Sequence, residues 1–220
     1  MDRAQLERMR EALRSQAPFL GQLEHLPSGW ESWDDIVGGV PKGGITLVTG
    51  KPGSGRITWV SRFLAARTAL GHPVAWVDGS GQVYPPALAQ LGVQLQRLLM
   101  VRHVGERSVF ALEQLVESGL FAGVVSSGLD RWLTPSRWRR IQAATEGARV
   151  ATLMVLAETS TFSGAALRVR VQQRVTKDTR RGLLLQIEKD RTGRGTGRHV
   201  HVDLPSTSAG ILSYTVKRAI

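Results

Sequence analysis

The stretch Ile45-Thr46-Leu47-Val48-Thr49-Gly50-Lys51-Pro52-Gly53-Ser54-Gly55-Arg56-Ile57 decides the fold. Its first five residues are apolar or β-branched, as in a buried strand, and a glycine-rich turn follows them. Residues 57–70 then carry apolar side chains at helical spacing, until Gly71 and Pro73 end the pattern before a second apolar run at 74–78. This segment predicts a strand, a helix and a second strand.

The same alternation continues along the chain. Apolar runs at residues 98–101, 123–126 and 151–156 predict three more strands, and helical patterns near 106–118 and 135–147 precede the last two. Strands that alternate with helices of this length indicate a parallel sheet that is covered on both faces.

The pattern changes from about Leu167 onward. Apolar and polar residues then alternate in short runs, with Gly193–Gly197 as a flexible tip, and this is typical of antiparallel strands joined by turns. We therefore expect an α/β fold with a mixed, mostly parallel sheet, helices on both faces and antiparallel strands at the C-terminal end.

Composition bounds the domain organisation. A chain of 220 residues with 42% hydrophobic content supports one sizeable core. We expect residues 1–22 to form an amphipathic helix and linker, and residues 23–220 to form the core domain. Cysteine is absent, which excludes disulfides and thiolate metal sites, and no metal site is expected. No signal peptide or membrane-spanning run is apparent, so a cytoplasmic protein without a membrane partner is expected.

The formal net charge of +11 favours a partner that carries phosphate or an acidic protein surface. Basic residues outnumber acidic ones between residues 168 and 198, and a second cluster interleaves arginine with tryptophan near residues 131–140. The alternative is a solvated face kept soluble by arginine. The candidate DNA-binding residues are Arg131, Arg137, Arg139, Arg140, Arg168, Arg170, Arg174, Lys177, Arg180, Arg181, Arg194 and Arg198.

The glycine-rich turn has the frame of a phosphate-binding loop but lacks two of its functional side chains. Such a loop ends in a lysine that follows the phosphoryl group and a hydroxyl that binds Mg²⁺, whereas this chain has Arg56 and Ile57. The alternative is a turn that never held phosphate. The residues of this degenerate nucleotide-binding loop are Gly50, Gly53, Ser54, Gly55, Arg56 and Ile57.

Taken together, the motifs of this chain resemble the RecA recombinase family. They are Gly38-Gly39-Val40-Pro41-Lys42-Gly43, the loop at 50–56, Val74-Ala75-Trp76-Val77-Asp78, Ala89-Gln90-Leu91-Gly92-Val93, Leu98-Leu99-Met100-Val101 and Val124-Val125-Ser126-Ser127. The resemblance implies a RecA-like core fold that is shorter than the family's between Ser126 and Ala151 and again after Thr159, where the family carries its DNA-binding loops. The compact form resembles the RecA-like accessory proteins of bacterial mutagenic translesion synthesis, the ImuA type.

The resemblance implies that the reaction centre has been lost. The family's catalytic glutamate falls at Ser80 and its metal-binding aspartate at Ser126. Asp130 is close to Ser126 in sequence, but we expect it to lie beyond the strand end where the ligand should sit. A serine hydroxyl does not act as a base near neutral pH without a partner, and Mg²⁺ usually takes a carboxylate. We therefore expect no catalytic residue, no enzymatic activity and no cofactor beyond weak residual binding of ATP or ADP.

The resemblance also implies the partners. It points to RecA or a RecA-like filament, to mutasome proteins such as an ImuB-type polymerase homologue, and to single-stranded DNA. The candidate partner-binding residues are Leu6, Met9, Leu13, Phe19 and Leu20 of the N-terminal segment, with Lys189 and Arg191 near the end. The alternatives are self-packing of the N-terminal helix and ordinary charge at a strand edge.

We expect a non-catalytic regulator of the SOS DNA damage response, and three other functions stay open. They are a DNA-binding module, a SulA-like inhibitor of cell division, and a weak ATPase. A DNA-binding module would show salt-dependent affinity for single-stranded DNA. Nothing in the sequence points specifically to a cell-division target.

Overall fold

A computed structural model describes Gln5 and residues 23–160, 162–175 and 181–204. The strands are β1 (His25–Leu26), β2 (Val40–Pro41), β3 (Ile45–Thr49), β4 (Val74–Asp78), β5 (Leu98–Arg102), β6 (Gly123–Ser127), β7 (Ala151–Val155), β8 (Leu167–Val175), β9 (Arg181–Asp190) and β10 (His199–Asp203). The helices are α1 (Glu31–Val37), α2 (Arg56–Ala69), α3 (Pro85–Gln90), α4 (Arg107–Glu117) and α5 (Pro135–Ala148).

Eight strands form one mixed sheet in the order β10-β9-β8-β3-β7-β6-β4-β5. The strands from β8 to β5 in this order run parallel, and β9 is antiparallel to both of its neighbours. The predicted α/β fold is therefore confirmed. One detail differs: β8 pairs in parallel with β3, with Leu167 opposite Thr46, so the antiparallel part begins at β9.

Helices cover both faces of the parallel sheet, and each face has its own core cluster. The cluster on one face joins α1, α2 and α3 to the sheet, and Trp33 of α1 meets Trp59 of α2 edge to face at 5.2 Å between ring centroids. The other cluster joins α4 and α5 to the sheet through Leu112 and Ile141, which are fully buried. Burial of large apolar side chains on both faces explains why the parallel strands are almost continuously apolar.

The helix α1 was not predicted. The sequence pattern predicts no helix between the N-terminal segment at residues 1–22 and the strand at residues 45–49. In the structure Trp33 and Val37, one helical turn apart, are both fully buried. The helix ends at Gly38, whose φ of +89° is left-handed and whose N–H bonds to the Asp34 carbonyl. A helix with only two buried positions in seven residues is too short for a helical spacing of apolar residues to be recognised in the sequence.

Several predicted features lie outside the described residues. They are the N-terminal helix with its candidate contacts, residues 1–22 apart from Gln5, and the candidate DNA-binding residues Lys177 and Arg180. Among the residues that the structure describes, no helix is both long and apolar enough to span a bilayer.

Candidate functional site

A cleft of about 650 Å³ opens at the carboxyl ends of β3, β4, β6 and β7. Open parallel sheets bind ligands at this edge, because the loops there diverge at a switch in strand order. The cleft is lined by the glycine-rich loop, by α3 and by the segments after β4, β6 and β7. Its polar lining includes Lys51, Arg56, Ser80, Ser127, Asp130 and Glu158, and its apolar lining includes Ile57, Val83, Tyr84, Leu88 and Leu91.

The loop between β3 and α2 packs tightly against β8 and β9. Gly50 has a φ of +145°, and a Cβ atom there would lie 2.4 Å from the Val171 carbonyl oxygen. At Gly55, whose φ is +93°, a Cβ atom would lie 2.3 Å from Leu183 Cδ2. The two glycines that frame the predicted loop are therefore required by its conformation and by its neighbours.

Arg56 does not point freely into the cleft. Its Nη1 atom donates a hydrogen bond of 2.5 Å to the carbonyl oxygen of Leu156, just after β7. Burial lowers the pKa of the Arg56 guanidinium, and the nearby carboxylates of Asp130 and Glu158 oppose that shift. The cation thus ties the loop to the end of β7, although a loop lysine would be free to follow phosphate.

Replacement of Arg56 by methionine should lower the free energy of unfolding by about 1 kcal/mol, because it leaves the Leu156 carbonyl without this donor. Urea unfolding measures the change. Lys51→Met is the control, since Lys51 is exposed in the same loop. This substitution should change the free energy of unfolding by no more than about 0.5 kcal/mol. Equal effects of the two substitutions would mean that the Arg56 contact does not stabilise the fold.

Ile57 forms part of an apolar wall where the family pattern has a metal-binding hydroxyl. Its side chain is 36% exposed and lines the cleft together with Val83, Leu88 and Leu91. Methyl and methylene groups offer no oxygen to a hard cation such as Mg²⁺.

Ser80 is engaged in the turn that follows β4. Its hydroxyl donates a 2.8 Å hydrogen bond to the carboxylate of Asp78, which is fully buried. Asp78 also accepts hydrogen bonds from the backbone N–H groups of Ser80 and Val83, at 3.2 and 2.8 Å. At the position where the resemblance implies a catalytic glutamate, the side chain therefore fixes a turn.

At the end of β6, Ser127 is the residue that lines the cleft. Its hydroxyl accepts a 3.0 Å hydrogen bond from Trp76 Nε1. Ser126 points to the opposite face of the strand, because successive strand residues alternate, and its buried hydroxyl has no partner among the described residues. The serine that the sequence analysis singled out is thus next to the cleft-lining serine, and neither supplies a carboxylate.

Two carboxylates line the cleft, and sequence reasoning missed both. It placed Asp130 beyond the ligand position, which is wrong: the segment after β6 turns back at Gly128, with φ of +69°, and Asp130 accepts a 2.5 Å hydrogen bond from the Ala157 N–H. Glu158 lies just after β7 and pairs with Arg170 at 2.8 Å. Within the described ranges, no group of three or more histidine or acidic side chains is arranged to hold a metal ion.

Most of the described DNA-binding candidates are engaged within the chain. Arg131 stacks over Trp132 at 5.2 Å, and Arg139 donates to the Pro135 carbonyl. Trp138 is buried, and its indole N–H donates a hydrogen bond to the Ser163 carbonyl, so this side chain belongs to the core beneath α5. The remaining engaged pairs are Arg137 with Glu106, Arg140 with Glu113, Arg168 with Glu188, Arg170 with Glu158 and Glu188, and Arg174 with His201.

Three other candidate DNA-binding arginines are exposed and form no ion pair with another described residue. They are Arg181, Arg194 and Arg198. Of the two partner-binding candidates near the end, Lys189 is exposed, whereas Arg191 contacts its own chain. Arg191 lies 3.7 Å from Glu146 and donates to the Gly164 carbonyl at 3.3 Å.

Comparison with known proteins bears on the first half of the chain. A model of the RecA N-terminal domain matches residues 18–136. Protein RecA of Brucella anthropi is 34% identical over 110 residues, which cover 49% of this chain and 30% of that protein. Protein RecA of Symbiobacterium thermophilum is 33% identical over 106 residues, covering 47% and 30%, and that of Streptomyces ambofaciens is 32% identical over 126 residues, covering 53% and 33%. The matched stretch thus spans about a third of these relatives.

Proposed function

Because the chain belongs to the RecA N-terminal domain family, we propose that it is a RecA-like accessory protein of the bacterial DNA damage response. It does not hydrolyse ATP, and it acts by binding RecA or a RecA-like filament. Family membership alone does not fix this function, because one fold supports many activities, so the argument rests on the cleft.

One observation carries the proposal: the positions that would hold metal and activate water are occupied by groups unable to do so. Arg56 bonds to Leu156, Ile57 is apolar, and Ser80 donates to Asp78. At the end of β6, Ser126 lies on the face away from the cleft, and the cleft-lining Ser127 accepts from Trp76. Phosphoryl transfer depends almost wholly on positioning and on electrostatic stabilisation by such groups. A cleft built this way binds nucleotide weakly or not at all.

The edge strand β5 supports a role in binding another protein. It ends the eight-stranded sheet, and among the described residues no strand pairs with its outer side, which suits pairing with another chain. On this strand Leu99 is 46% exposed, and on α4, a helix that contacts β5, Phe110 is 55% exposed. Exposed apolar side chains next to an open strand edge favour docking of an extended segment from a partner.

Binding of purified RecA to the immobilised chain tests the proposal. We expect Leu99→Glu and Phe110→Glu each to weaken binding by about tenfold or more, since each puts a charge into the apolar contact. Leu70→Glu is the matched control, because Leu70 is 45% exposed at the far end of α2 and should leave binding unchanged. A chain that lacks residues 1–22 tests the N-terminal segment, and undiminished binding would exclude that segment. Absence of RecA binding would overturn the proposal.

The finer assignment rests on the resemblance to accessory proteins of the ImuA type. On this resemblance we propose that the chain acts in the translesion synthesis mutasome, with an ImuB-type polymerase homologue as a further partner. Direct binding of single-stranded DNA is less supported than protein binding, because most of the described candidate arginines are engaged within the chain.

A further inference from the structure

The turn that joins β9 to β10, residues 191–198, is organised around a buried carboxylate. Asp190 is 8% exposed, and its carboxylate accepts hydrogen bonds from the Thr192 N–H at 2.9 Å, the Thr192 hydroxyl at 2.7 Å and the Gly195 N–H at 2.9 Å. The Thr196 hydroxyl in turn accepts a 2.9 Å hydrogen bond from the Asp190 N–H. The glycine spacing predicts a flexible tip, whereas these bonds hold the turn in place.

This turn presents two exposed arginines, Arg194 and Arg198, and neither forms an ion pair with another described residue. Gly193 and Gly197 flank Arg194 with left-handed φ values of +75° and +82°. A Cβ atom at either glycine would have no heavy atom within 4 Å. The outer side of the turn is therefore open, and a ligand can approach its backbone closely.

The turn lies at the amino edge of the sheet, opposite the cleft. β9 is antiparallel to β8, which is parallel to β3, and Asp190 at the end of β9 pairs with Leu167 at the start of β8. A Cβ atom at Gly38 would lie 3.5 Å from Arg194 Nη1 and 3.9 Å from His25 Cγ. Arg194 therefore lies beside the segment that precedes β3.

Two further cations continue the positive surface along this edge. Lys42 precedes β3 and Arg149 precedes β7, and both pair with the carboxylate of Glu24, at 3.1 and 3.6 Å. One carboxylate shared by two cations leaves a positive charge in excess. Arg191 and Glu146 pair at 3.7 Å and add no net charge. From β9 to β7 the edge spans three strand spacings, which is about 14 Å.

A row of cations along an edge suits a polymer with regularly spaced negative charge better than it suits a single carboxylate. One strand of a nucleic acid carries a phosphate for about every 3.4 Å of helix axis, so an edge of this length faces about four phosphates. The guanidinium group binds phosphate oxygens through two parallel N–H donors.

We propose that the turn at residues 191–198, held by Asp190, forms a nucleic-acid binding surface together with Lys42 and Arg149. This amino-edge surface contacts the phosphate backbone rather than the bases, so its affinity does not depend on base sequence. The inference goes beyond the proposed function and does not depend on RecA binding.

Fluorescence anisotropy of a labelled single-stranded oligonucleotide, titrated with the full chain at several salt concentrations, tests this surface. We expect Arg194→Ala and Arg198→Ala each to weaken binding by about threefold or more. Each should also make the slope of log K against log salt shallower by about 0.7, the contribution of one phosphate contact. Arg107→Ala is the matched control, because Arg107 is an exposed arginine at the start of α4, at the opposite edge of the sheet. Equal losses in all three variants, or no binding at low salt, overturn the proposal.

Replacement of Asp190 by asparagine separates the held turn from charge alone. The substitution removes a negative charge, so attraction by net charge alone predicts tighter binding. An amide nitrogen does not accept the hydrogen bond that the carboxylate accepts from the Gly195 N–H. We therefore expect binding to weaken by about threefold or more. Unchanged or tighter binding contradicts the role of Asp190.

Competition distinguishes a nucleic acid from an acidic protein as the ligand of the amino-edge surface. Unlabelled oligonucleotide and polyglutamate of the same total charge are compared as competitors of the labelled strand. We expect polyglutamate to compete at least roughly tenfold less well, because arginine pairs with closely spaced phosphates and releases their condensed counterions. Equal competition assigns the surface to an acidic protein and overturns the proposal. RecA is absent from all of these measurements, so their outcome is separate from that of the RecA-binding test.

Discussion

Replacement of Asp78 by alanine is expected to lower the free energy of unfolding by about 3 kcal/mol, because each buried donor left without its acceptor costs about 1–3 kcal/mol. The Asp78 carboxylate is fully buried and accepts hydrogen bonds from the Val83 N–H, the Ser80 N–H and the Ser80 hydroxyl. Arg102 approaches it to 3.9 Å. Urea unfolding with a constant m-value measures the loss.

Two controls separate the role of the carboxylate from that of its neighbours. Asp78→Asn keeps one acceptor oxygen and should lose less than the alanine variant. Ser80→Ala removes only the exposed hydroxyl donor and should cost under about 1 kcal/mol. If Asp78→Ala were as stable as the native chain, the account of the turn after β4 would be wrong, and Ser80 would be free for another role.

The second large effect is expected at the glycine-rich loop. Gly50→Ala should cost about 3 kcal/mol, because its left-handed φ of +145° disfavours a side chain and the new Cβ would meet the Val171 carbonyl at 2.4 Å. Gly53→Ala is the matched control: its φ is +77°, but a Cβ there would have no heavy atom within 4 Å. The Gly53→Ala substitution should lower the free energy of unfolding by only about 1 kcal/mol, because of backbone strain alone.

The difference between the two alanine variants isolates the contact with β8 from the backbone term. A Gly50→Ala variant no less stable than Gly53→Ala would show that the loop is not held against β8 as described. Circular dichroism and urea unfolding of both variants supply the comparison.

The parallel core was predictable because its information is local. The runs at residues 45–49 and 74–78 match β3 and β4 residue for residue, and the helix predicted at 57–70 lies within one residue of α2. In these segments the apolar pattern, the glycine-rich turn and the residues that end the helix all indicate the same element boundaries, so each boundary is specified by more than one signal.

The cleft was less predictable because its chemistry depends on contacts between distant residues. The Arg56 donor and the Leu156 carbonyl are 100 residues apart, and the sequence around either residue does not indicate a contact between them. Asp130 was misplaced because a turn at Gly128, rather than the strand pattern, decides where it lies. Arg168 and Arg170 suggested a nucleic-acid surface, but their glutamate partners lie on another strand and in a loop. Charge counted along the sequence does not reveal such pairing.

Phosphate release by the purified full chain with ATP and Mg²⁺, combined with calorimetric titration of ATP on the same sample, measures whether the cleft hydrolyses nucleotide. We expect no release above the buffer rate and no tighter ATP binding when Mg²⁺ is added, because Ile57, Ser80 and Ser127 carry no carboxylate. The two carboxylates in the cleft are engaged within the chain, Asp130 by the Ala157 N–H and Glu158 by Arg170. Steady turnover that is lost on replacing Arg56 by alanine would contradict the account.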